Sequence, residues 1–155
     1  MRLRILTFVT SLFLILAAPA IADNGVITNQ SAYSADVTVE RFEAAVKKLG
    51  FIVFARLDHA AAAKQMGLSM PYSTVVVFGN PKIGTPGFIK VPESAIDLPL
   101  KALVWEDQDG KVFLSYNSGT YLFKTIFPRH GRSVPQKVVD TVDGNLAKIA
   151  AETTK

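Results

Sequence analysis

Two apolar, β-favouring runs, LKALVW at residues 100–105 and VFLSY at 112–116, flank the polar stretch EDQDGK at 106–111. Acidic and Gly residues between two such runs are a turn signal, so the chain folds back on itself as an antiparallel hairpin. TVVVF at 74–78 is the strongest strand signal, and Gly79-Asn80-Pro81 breaks it abruptly. FIVFA at 51–55 reads as a strand buried on at least one face, and Val26-Ile27-Thr28 as a short one. Helical patterns lie between and after these runs. Val39, Phe42, Val46 and Leu49 share one helical face, begun by Ser34 and stopped by Gly50. Asp58 caps a second helix, HAAAAKQM at 59–66, which Gly67 ends. Residues 120–127 read as a short helix stopped by Pro128. Ser133 and Gln136 match a capping box for a last helix carrying Val138 or Val139, Val142, Leu146 and Ile149, with Gly144 interrupting it. Interleaved helices and an antiparallel hairpin predict an α+β fold, a mainly antiparallel sheet with helices packed on one face.

Residues 79–99 hold Gly84, Pro86, Gly87, Pro92 and Pro99 and no clear period. The expectation is a long ordered loop, with a short helix near 85–90 or 93–97, and such loops often carry function.

Residues 1–22 have the three parts of a secretory signal peptide. Arg2 and Arg4 precede a mostly apolar run at 5–16, and Ala20-Ile21-Ala22 supplies small residues for cleavage. A spanning helix needs about 20 apolar residues, and Thr7, Thr10 and Ser11 weaken the shorter run here. Cleavage after Ala22 leaves 133 of the 155 residues, 23–155, as one domain and lowers the formal charge from +4 to +2. A near-neutral domain with interleaved charges carries no footprint for nucleic acid, and nothing for a membrane once the leader is gone. An exported protein, periplasmic or extracellular, without a single cysteine depends on its core alone for stability. Zero cysteine also excludes a disulfide scaffold, a thiolate metal site, a thiol nucleophile and covalent haem attachment.

Four blocks resemble the DUF302 family. They are Gly50-Phe51 followed by Asp58-His59-Ala60; Phe78-Gly79-Asn80-Pro81 with Gly84-Thr85-Pro86; Asp97-Leu98-Pro99-Leu100-Lys101 running into Val104-Trp105-Glu106-Asp107; and Tyr121-Leu122 with Arg129-His130-Gly131. The resemblance spans about residues 26–152. It implies a β-α-β(4)-α fold of the TATA-binding-protein-like group and frequent homodimers. It implies no activity, and fold analogy alone gives no licence for DNA binding.

Chemistry must come from His, Asp, Tyr and Met. His59, in the first turn of a capped helix, could ligate a metal or haem or act as a base, or simply pack locally. His59 with Met66 and Met70 is a weak candidate for a copper site, and His59 or His130 for b-type haem. Asn80 either orients a ligand or serves turn chemistry. Asp97, before Leu-Pro-Leu, would be a partly buried acid paired with Arg56, Lys101 or His59, or a cap for local amides. Tyr116 and Tyr121 suit a pocket edge or the core. Asn117-Ser118-Gly119 is no glycosylation acceptor, and the chain holds no P-loop, GxGxxG, HExxH, GxSxG or EF-hand.

Three functions follow as expectations. The first is a small-molecule or cofactor-binding module whose residues His59, Asn80, Asp97, Tyr116 and Tyr121 converge on one cavity. The second is an enzyme using His59 and Asp97 as an acid–base pair. The third is a partner-binding structural protein with an exposed apolar face instead of a pocket.

Overall fold

The computed structural model describes residues 24–155; the leader-like segment lies outside them. The order is β1 (Val26–Gln30), α1 (Ala35–Lys48), β2 (Ile52–Asp58), α2 (His59–Gln65), β3 (Ser73–Gly79), α3 (Pro81–Lys90), a 3-10 turn (Pro92–Asp97), β4 (Leu100–Glu106) and β5 (Val112–Asn117). A second helical stretch follows. It starts as α4 (Gly119–Tyr121), widens to a π-helix over Leu122–Ile126 and tightens to a 3-10 turn over Phe127–His130; α5 (Gln136–Thr154) closes the chain. The sheet order is β1-β5-β4-β3-β2, with every pairing antiparallel. This is the expected β-α-β(4)-α arrangement, an α+β fold.

Strand alternation decides where the core sits. In β3, Thr74, Val76 and Phe78 are buried while Ser73, Val75 and Val77 are only partly covered. The pairing carries the same face to Ala102 and Val104 on β4 and to Val112, Leu114 and Tyr116 on β5. α1 seals that face with Val39, Phe42 and Val46, and α5 adds Leu146, Ile149 and Ala150. Phe42 meets Phe78 edge to face, ring centroids 5.1 Å apart. The Glu43 carboxylate of α1 pairs with Arg56 of β2, and the Arg56 hydrogen bond holds its carboxyl below the usual range. α5 has no basic residue in its last turn. Arg41 supplies the missing donors, reaching the carbonyls of Glu152, Thr153 and Lys155 from α1.

Several local expectations need correction. FIVFA does bury one face, Phe51 and Val53 packing against the core, but it lies in an edge strand that runs on to Asp58, with Ile52, Phe54 and Leu57 exposed. A bulge between Val53 and Ala55 shifts its register. The loop expected at 79–99 is mostly helical. Asn80 caps α3 through Oδ1, which accepts from the Lys82 amide, Pro81 takes the first turn and Pro86 sits inside the helix. Pro128 does not stop its helix, because it occupies the start of a 3-10 turn that ends at Gly131, φ 63°. The capping box does not form: Pro135 is the N-cap of α5 with no side-chain bond, and the helix passes through Gly144. Ser34 caps α1 through its backbone carbonyl, which accepts from Thr38.

Phe42→Ala should lower the unfolding free energy by about 3–5 kcal/mol, read from urea or guanidinium denaturation. The ring is 1% exposed, so truncation removes a fully buried side chain.

Candidate functional site

The strands end on one side of the sheet at Phe78, Leu100 and Asn117, and a cleft of about 410 Å³ opens there. Its volume lies within the range of small-molecule sites. Phe78, Leu100 and Tyr116 reach it from the sheet, Leu146 from α5, and Leu122 and Ile126 from the π-helical turn. π-helical turns recur at functional sites because the widened turn re-aims side chains. The polar lining is Asp97, Lys101, Tyr116, Asn117, Tyr121 and Arg129.

Two clasps hold the walls. The 3-10 turn ending at Asp97 is tied to the turn at 127–130. His130 Nε2 donates to Asp97 Oδ2 at 2.6 Å, and Arg129 Nη1 lies 3.6 Å from Oδ1. The His130 bond, followed by the charge of Arg129, keeps the Asp97 carboxyl below its ordinary range. Beside them Arg132 lies over the Phe127 ring, donates to Ser94 Oγ at 2.9 Å and fills the space beside Gly87. The second clasp fixes Tyr121. Asp143 of α5 accepts from the amides of Gly119 (2.6 Å) and Thr120 (3.1 Å) and from the Thr120 hydroxyl (2.7 Å). Ser118 Oγ accepts from the Tyr121 amide at 3.0 Å. Gly25, at φ 76°, lies against the Tyr121 ring so closely that any Cβ would strike it.

Of the five residues expected to converge, the structure brings Asp97, Tyr116 and Tyr121 to this cleft and leaves two elsewhere. Asn80 divides its amide between the Lys82 N–H and the Gly50 carbonyl. His59 starts α2, directly after Asp58, whose side chain accepts from the Ala61 amide. Asp58 pairs with Thr74 at one end of β3, whereas Leu100, just past Asp97, pairs with Phe78 at the other. A His59–Asp97 acid–base pair is therefore not formed. The imidazole partner of Asp97 is His130, and neither Arg56 nor Lys101 bonds it: Arg56 is held by Glu43, and Lys101 donates to the Pro99 carbonyl. Met66 is 79% exposed at the end of α2, and Met70 is exposed before β3. Among the described residues no group of three or more His, Asp or Glu could hold a metal.

Arg129, Leu122, Ile126 and Asp143 were not expected at the site. Arg129-His130 was visible as a family block, but its contact with Asp97 spans 33 residues and has no local signal.

A five-stranded antiparallel α+β domain with a cleft at one sheet end is thus defined, and comparisons place it. The family described as "Domain of unknown function DUF302" matches residues 27–153, and the chain belongs to it. The structure of a DUF302 protein from Bacillus stearothermophilus superposes with TM-score 0.70 at 17% identity, covering 84% of this chain and 99% of that one. That likeness establishes the fold. A protein of Brucella suis named fluoride-specific ion channel FluC 1 is 38% identical over 132 residues, 85% of this chain and 52% of its own length. The same-named protein of Brucella abortus matches equally, over 49% of its length. The chain spans about half the length of these curated relatives. No helix among the described residues is long and apolar enough to cross a membrane.

The Asp97 clasp should add stability above the ordinary aspartate pKa of about 3.9. That contribution is lost as pH falls through the lowered folded value, since the unfolded chain binds the proton first. Urea midpoints measured from about pH 5 downward should therefore fall more steeply in the parent than in Asp97→Asn.

Proposed function

We propose that this DUF302 chain is an exported domain that binds a small molecule in the cleft between Tyr116, Tyr121 and Asp97, and that it works as a homodimer. The observation carrying the first half is convergence. Side chains from β3, β4, β5, α5, the turn before β4 and the π-helical turn line one cavity of about 410 Å³. Two sets of polar contacts fix the segments that form its walls. Export is supported by the leader pattern at 1–22. In this reading, the part of the Brucella proteins responsible for ion conduction is the half that this chain does not match.

Dimerisation is supported by the outer sheet face. Ile52, Leu57, Val75, Val77, Leu103 and Trp105 lie on the side away from α1, and Trp105 stacks on Phe113 with centroids 4.8 Å apart. Lys101, at one end of β4, is the only charged residue at an outward position of the five strands. A two-fold contact sets like patches against each other, so an apolar, nearly uncharged face suits a second copy best.

Native mass spectrometry of protein recovered from the exported fraction of its own host tests both halves. A retained small mass is expected in the parent and absent in Ile126→Trp, whose indole occupies the cleft. An empty parent and an unchanged variant would count against a ligand site. The dimer mass should give way to monomer in Leu57→Lys, a substitution at an exposed position that leaves the core intact. A parent that is monomeric at all concentrations removes the dimer.

A further inference from the structure

The charges of the cleft are unevenly committed. Asp97 is its one acid; one carboxylate oxygen accepts from His130, the other faces Arg129 at 3.6 Å, and the side chain is only 21% exposed. The two cations are freer. Arg129 carries five N–H donors, and its single ion-pair contact, to Asp97, is at 3.6 Å, longer than a hydrogen bond. Its side chain is 61% exposed at the cleft edge. Lys101 has three donors, of which one goes to the Pro99 carbonyl. Deeper in, the Tyr116 hydroxyl is a neutral donor, its phenol pushed up by burial. Below these groups the lining is apolar: Phe78, Leu100, Leu122, Ile126 and Leu146. The cavity equals the liquid volume of roughly a dozen waters, room for a chain of several carbons.

We infer that the cleft selects a small amphipathic anion, a carboxylate on an aliphatic or aromatic body. Its charged end lies between Arg129 and Lys101, and its apolar body rests on Ile96, Leu100 and Ile126. This rests on the reading of the cleft as a ligand site and names the class of ligand. The physical reason is additive. Apolar burial supplies affinity without selectivity, and unpaired cationic donors at the edge discriminate by sign of charge. A cationic ligand would meet Arg129 and Lys101 at the cleft edge, while the Asp97 carboxylate is bonded by His130 and only 21% exposed.

Three eight-carbon probes with different head groups test the inference. Sodium octanoate, 1-octanol and octylammonium chloride are titrated into the isotope-labelled protein, with amide shifts followed by NMR. Octanoate should move the amides of residues 97–101, 116–122 and 126–130 and bind about tenfold tighter than octanol, as expected of a hydrogen bond to a charged group. Octylammonium should bind weakest. Arg129→Gln, a change at an exposed position, should weaken octanoate about tenfold and leave octanol unchanged. Lys101→Gln should act in the same direction. Equal binding of octanoate and octanol, or no effect of Arg129→Gln on octanoate, overturns the anion selectivity while leaving the cleft as a ligand site. Preference for octylammonium does the same. Failure of all three probes to perturb the cleft overturns both readings.

Discussion

The packing of α1 against one face of an all-antiparallel sheet is the constraint from which the rest of the structure follows. Phe42 against Phe78 is its centre, with Val39 and Val46 on either side. Because side chains alternate along a strand, the register that buries Val76, Phe78, Val104 and Leu114 also sends Val75, Val77, Leu103 and Trp105 outward. One packing event thus creates both the core and an uncovered apolar face. A slip of one residue would exchange the two sets and leave α1 facing Lys101 and Ser115.

The same geometry explains where the cleft lies. α1 packs over β2 to β5, but the sheet end at Leu100 and Asn117, beyond Phe78, is left to other segments. Two segments of short helical turns, residues 81–97 and 119–132, close it instead, the second burying Leu122 and Phe127. Polar ties add to their hold: Asp97 to His130, Arg132 to Ser94, and Asp143 to the start of α4. Ties of this kind fix position without filling space, so the cavity survives. The side chains that close it are those left with spare hydrogen-bonding capacity, Arg129 and Lys101 above all.

The elements were legible where one local signal dominated. The face of α1 with Gly50 at its end, the strand at 74–78, the hairpin around 106–111 and the Asp58 cap could each be read from about ten residues, and each appears in the structure. Misreadings arose where one residue type serves two purposes. Pro81 and Pro86 have the composition of loop punctuation, yet Pro81 starts α3 and Pro86 is tolerated within it. Ser133 and Gln136 have capping-box spacing, but Pro135 fixes the backbone at the helix start first. The exposed side chains of β2 reflect its place at the sheet edge, which its composition does not record.

The candidate site divides in the same way. Residue type alone marked Asp97, Tyr116 and Tyr121 as chemistry-bearing, and the sheet end collects them. Their partners were out of reach, because His130, Arg129 and Asp143 act across 33, 32 and 24 residues. By itself the sequence determined the α+β class, the strand and helix periods and the absence of thiol chemistry. These depend on side-chain period, turn chemistry and composition, which are local properties. Only the tertiary structure decided which imidazole meets Asp97, which sheet face stays bare and where the cavity opens. Those outcomes depend on which elements become neighbours when α1 seals the sheet, and no short window of residues carries that information.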